Sequence, residues 1–127
     1  MVNVYNTSVW PPLLWAALII FAPAFEETFF RGFLFEGFRQ SRIGIIGTIG
    51  LTALTWAALH MQYDIYGIVT IFIMGVLLGI VRLKTDSLWS PLLIHAFFNF
   101  VATLQVAINM NSLASQTVYL ALLSHST

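Results

Sequence analysis

Four stretches of this chain contain no Asp, Glu, Lys or Arg: Val9 to Phe25, Ile43 to Tyr63, Ile65 to Val81 and Ser87 to Ser124, of 17, 21, 17 and 38 residues. A helix needs about 20 apolar residues to cross the hydrocarbon of a bilayer, so runs of this length leave few folds open. Apolar residues continue for longer than a usual strand and without the alternation of a half-buried sheet or a membrane barrel, which argues against strands. The expected fold is all-α, a polytopic membrane helical bundle with about four transmembrane helices and a short C-terminal helix.

Composition sharpens this reading. Of the 127 residues, 59% are hydrophobic and 8% charged, against about 25% charged in an ordinary soluble domain. Five basic and five acidic residues cancel, leaving no cationic surface for nucleic acid and no acidic tail for basic partners. No cysteine is present, so disulfides, thiolate metal sites and cysteine nucleophiles are excluded. The length is that of a single unit.

Short polar joints separate the runs: Arg39-Gln40-Ser41-Arg42, Gln62-Tyr63-Asp64, and Arg82-Leu83-Lys84-Thr85-Asp86 with Pro91 just beyond. These read as inter-helix turns. One helix is expected from about Pro11 to about Phe38, which places Glu26, Glu27 and Arg31 at depth in the membrane. The last run is expected to break near Asn109-Met110-Asn111-Ser112, giving a span from about Leu88 to Ile108 and a capping or interfacial segment from Leu113 to Leu123. Gly44, Gly47 and Gly50 in the second span, and Gly75 and Gly79 in the third, either let helices approach closely or are tolerated facing lipid. Ala22-Pro23-Ala24 resembles a signal-peptide cleavage site, but residues 1 to 8 supply no basic n-region, so the first 25 residues are expected to stay.

An ionised side chain at the centre of a bilayer costs at least about 2.5 kcal/mol, so three of them between Glu26 and Arg31 need a reason. At about 100° per residue, Glu27 and Arg31 share a helix face, whereas Glu26 points about 140° away from Arg31. Glu27 can thus be neutralised locally and Glu26 cannot. A purely structural reading makes Glu27 and Arg31 a buried ion pair and leaves Glu26 protonated. Pro23 removes a backbone donor just before this group and exposes a carbonyl in the preceding turn. Two further spans carry polar groups at helical spacing, Trp56 with His60 and His95 with Asn99, each pair on one face. His60 alone reads as an interfacial residue, but His95 and Asn99 form a polar stripe for which hydrocarbon offers no partner. His125 lies in a polar tail without an assigned role, and Glu36 pairs most simply with Arg39.

These residues form three motifs. Glu26-Glu27-Thr28-Phe29-Phe30-Arg31 followed by Gly32 matches E-E-x-x-x-R, Trp56 to His60 matches aromatic-x-x-x-H, and His95 to Asn99 matches H-x-x-x-N. In this order the chain resembles the CPBP family, the CAAX proteases and bacteriocin-processing enzymes also called Abi proteins, over roughly residues 15 to 108. The resemblance implies an intramembrane glutamate-dependent endopeptidase in which Glu26 with His60 activates the attacking water. It implies that His95 and Asn99 stabilise the oxyanion and that Glu27 and Arg31 support the site, with neither metal nor cofactor. Family members carry further helices before the E-E-x-x-x-R segment, whereas about ten residues precede that helix here. The expectation is one membrane-embedded core across residues 1 to 127, a fragment or a minimal variant.

Two other functions fit the same residues. One glutamate and two histidines could bind zinc and a metal-bound water. Alternatively, the polar residues could hold the helices of a scaffold together, or bind a peptide without cutting it. The partners expected are membrane lipid and a peptide or membrane-anchored protein substrate, prenylated or plain, in a bacterial cell membrane. The positive-inside rule places the joints at 39–42 and 82–86 in the cytoplasm and the joint at 62–64 outside.

Overall fold

The computed structural model describes residues 11–124; His125 lies outside the described residues. Helix α1 occupies residues 11–39 without interruption. It is α-helical over Pro11–Ala16, Ala22–Glu27 and Phe35–Arg39, and winds more loosely as π-helix over Ala17–Phe21 and Thr28–Leu34. Helix α2 is Gly44–Ala58, α3 is Ile65–Thr85 and α4 is Trp89–Ser124. Among the described residues there is no strand, in keeping with an all-helical membrane bundle.

Two boundaries differ from those expected. No break occurs at Asn109 to Ser112, and the terminal segment continues α4 as one 36-residue helix. Asn and Ser each cost only a few tenths of a kcal/mol in a helix interior, and without Gly or Pro in that stretch nothing stops the ladder. The second span is also shorter than its apolar run. Helix α2 has 15 residues, about 22 Å at 1.5 Å per residue, less than the hydrocarbon thickness. Stretches Pro12–Arg39, Ile65–Thr85 and Trp89–Leu113 are long and apolar enough to cross a membrane.

The turns explain where helices start and stop. Gly44 adopts φ +71° at the start of α2, a conformation that costs glycine nothing. Asp64 caps α3 by accepting the Gly67 N–H at 2.8 Å. At the other end Asp86 turns left-handed at φ 48° and accepts from Arg82 Nη1 at 3.0 Å and Arg39 Nη1 at 3.4 Å. Arg82 also reaches Glu36 at 3.8 Å. The C-terminal ends of α1 and α3 are therefore tied together at the same end of the bundle.

Packing is closest between α2 and α3. A Cβ on Gly75 would lie 2.9 Å from Ala53 Cβ and 3.2 Å from Trp56 Cε3, and one on Gly79 would lie 3.2 Å from Ile49 Cγ2. Those two glycines do permit helix contact, whereas Gly44 and Gly50 face open space. The interior holds Phe30, Phe35, Trp56 and Leu78, but equally Glu27, Arg31, Thr48, Thr52, His95 and Thr103. Outside lie Phe25, Phe33, Ile46 and Tyr66, all largely exposed. An apolar exterior around a polar interior is the distribution that lipid selects.

Candidate active site

The π-helical segments position the site. In an α-helix each N–H bonds four residues back, but here the Ala22 N–H reaches Ala17 O and the Phe35 N–H reaches Phe30 O, five back. Returning to the four-residue ladder skips one carbonyl each time. The first skipped carbonyl is Leu18 O, for which Pro23 has no N–H to offer; Asn99 Nδ2 donates to it at 2.9 Å. The second is Arg31 O, which accepts from Arg82 Nε at 3.1 Å. Polar side chains of α4 and α3 thus satisfy both irregularities of α1, as hydrocarbon requires.

Glu27 and Arg31 lie on the inner face and are fully buried. Arg31 Nη1 donates to Glu27 Oε1 at 2.9 Å, and Nη2 donates to Gly75 O at 3.1 Å. The guanidinium also lies 4.7 Å from the Trp56 ring centroid, a cation–π contact. Glu27 Oε1 further contacts His95 Nδ1 at 2.8 Å, so the pair expected on α1 is in fact a triad reaching α4. Since Glu27 Oε1 already accepts from Arg31, Nδ1 is assigned as the donor to it, which turns Nε2 towards Glu26, with Oε2 3.9 Å away. Glu27 Oε2 and Arg31 Nε are buried with no hydrogen-bond partner among the described residues.

Glu26 sits on the neighbouring face, 23% exposed, and its Oε2 accepts from Trp56 Nε1 at 2.5 Å. The spacing that marked Trp56 as an aromatic motif position carried no sign of this bond, which joins residues 30 apart in sequence. His60 lies just past the end of α2, in the turn rather than on the helix. Its Nδ1 lies 2.9 Å from Trp56 O, which assigns the proton to Nδ1 and leaves a lone pair on Nε2. The Trp56 ring lies in T-shaped contact with both histidines, with centroids 5.3 Å from His60 and 5.1 Å from His95.

Glu26, Trp56, His60, Tyr63, His95 and Asn99 line one cavity of about 380 Å³. A second opening of about 310 Å³ shares Glu26 and His60 and is otherwise walled by Phe25, Phe29, Phe30 and Leu59. The carboxylate is thus reached from two sides, one polar and one apolar. A larger apolar groove of about 630 Å³ runs between Ile20 and Leu93 and contains no ionisable side chain. Among the described residues, no three His, Asp or Glu side chains converge as a metal-binding group. The arrangement offers a carboxylate and an imidazole lone pair as bases, with a second imidazole and an amide donor lining the same cavity.

A model of the family described as type II CAAX prenyl endopeptidase, Rce1-like, matches residues 8–101. An uncharacterized 24.3 kDa protein of Escherichia coli is 31% identical over 81 residues, which is 61% of this chain and 37% of that protein. The chain therefore spans well under half the length of this curated relative. No solved structure matches it.

Proposed function

Because the chain belongs to the Rce1-like family of type II CAAX prenyl endopeptidases, we propose that it is an intramembrane endopeptidase in which Glu26 and His60 activate the attacking water. The observation that carries this reading is the gathering of Glu26, His60, His95 and Asn99 around one cavity, although they come from two helices and a turn. Glu26 keeps Oε1 free of any hydrogen bond among the described residues, and His60 directs its proton to a backbone carbonyl. A carboxylate oxygen and an imidazole lone pair in one cavity are what deprotonating a water requires.

His95 and Asn99, which line the same cavity, would receive the oxyanion. With Nδ1–H given to Glu27, His95 can donate from Nε2 only when both ring nitrogens carry protons. Asn99 has a second amide hydrogen beyond the one bound to Leu18 O. Glu27 and Arg31 serve as the frame that orients His95. Residues from about 15 to 108 form the catalytic core, and an integral position in a bacterial cell membrane fits both the three long apolar helices and the Escherichia coli relative. The substrate class is a peptide or protein held in the membrane, lipidated or plain, entering where Glu26 is open to the apolar side.

The test is cleavage of internally quenched peptides, farnesylated and plain, by the protein in liposomes beside Glu26→Gln. Cleavage by the parent chain and binding without cleavage by the variant is expected. A parent chain that binds these peptides and cuts none of them is a scaffold.

A further inference from the structure

We propose that Trp56 is a positioning residue for this reaction: its indole N–H holds Glu26 Oε2, so that the carboxylate presents its other oxygen to the cavity shared with His60 and His95. The inference rests on the endopeptidase reading and concerns a residue that the motif specifies only as aromatic. A phenylalanine would satisfy that motif and fill most of the same space, yet it has no hydrogen to donate.

Glu26 needs such a partner. The four-residue spacing that pairs Glu27 with Arg31 leaves Glu26 without an ion pair in its own helix, and its side chain is partly open to the cavity. A glutamate with three rotatable bonds beside an open space samples many orientations unless something holds it. The Trp56 N–H, at 2.5 Å from Oε2, supplies that hold.

The donor itself has little freedom. Trp56 is 2% exposed, its face lies against the Arg31 guanidinium, and its ring makes T-shaped contacts with both histidines. Gly75 of α3 closes the remaining side, where even a Cβ would come within 3.2 Å of the ring. A donor locked on several sides costs no reorganisation when the reaction begins, which is how fixed dipoles contribute most to catalysis. The same ring spaces His60 from His95, so one side chain registers the base, its imidazole partner and the oxyanion wall.

A purely structural role would arise from the ring, which also packs with Phe30 and Leu78. Two replacements separate ring from donor: Trp56→Phe, and replacement of Trp56 by 3-benzothienylalanine, the sulfur isostere of tryptophan. Each is assayed on a farnesylated quenched peptide in liposomes, with detergent thermal unfolding alongside. A bond to a charged acceptor is worth about a ten- to hundredfold change in rate. Expected is a fall in kcat of that size, with KM within about twofold and unfolding of the isostere variant unchanged. The indole N–H resonance of Trp56 in ¹⁵N-tryptophan NMR should also move upfield in Glu26→Ala. Unaltered kcat in the isostere variant, a change confined to KM, or a loss that tracks thermal stability would overturn the positioning role alone. No cleavage by the parent chain would refute the endopeptidase reading and the positioning role with it, while the NMR shift would still report the bond.

Discussion

Removing one member of the Glu27–Arg31 pair should strongly destabilise the protein, whereas removing the charge of Glu26 one residue away should not. Both partners of the pair are fully buried at 2.9 Å, and Arg31 is further bonded to Gly75 O and stacked on Trp56. Arg31→Met strands Glu27 in a low-dielectric interior with only His95 to oppose it, and Glu27→Gln strands Arg31. Breaking a buried pair from one side costs about 3 to 5 kcal/mol, much of the 5 to 15 kcal/mol by which proteins are typically stable. At about 4 °C per kcal/mol for a chain of this size, detergent unfolding should fall by roughly 12 to 20 °C. Glu26→Gln keeps an oxygen for the Trp56 N–H and frees no buried charge, so its midpoint should stay within about 3 °C while cleavage is lost. The assay is thermal unfolding and cleavage measured on the same preparations of the three variants. If Glu27→Gln remained folded but inactive while Glu26→Gln still cut, Glu27 would be the base and the face assignment would be reversed.

Cysteines introduced at Ser41 and Gln62 should label from opposite sides of the membrane, with Ser41 cytoplasmic because the basic residues gather at that end; labelling from one side would refute the arrangement of spans. Cleavage should survive metal chelation, since a carboxylate and an imidazole suffice as bases; loss on chelation and recovery with zinc would favour a metal-bound water. Asn99→Ala should lower kcat about a hundredfold with little change in KM, because an oxyanion donor acts on charge that appears only in the transition state; a rise in KM alone would mark a substrate contact. Hydrogen bonding to Arg82, then its charge, then Arg39, holds the Asp86 carboxyl below the usual range. Its stabilising contribution is therefore complete above about pH 4 and is lost as pH falls through that lowered value. Asp86→Asn, which tolerates the left-handed backbone, should flatten the acid limb of unfolding; superimposable acid limbs would show that this exposed cluster contributes nothing.

Local spacing made some of this molecule legible in one dimension. Uninterrupted apolar runs dictate helices in a membrane because an unpaired backbone cannot exist in hydrocarbon. Four-residue spacing dictates that Glu27 meets Arg31, since both partners ride on the same turns. What joins the helices was decided only by the tertiary structure. Glu26 to Trp56, Glu27 to His95 and Leu18 to Asn99 connect residues 30, 68 and 81 apart, and which side chains meet across helices depends on rotation and depth, which no periodicity encodes. The two π-helical turns change that rotation within α1 itself, and they create the carbonyls that Asn99 and Arg82 must satisfy. His60 reaches the cavity because α2 stops at Ala58, although its apolar run would have allowed it to continue. The residue types at the site were therefore set by the chain, while their partners across the bundle were set by how four helices fit together around it.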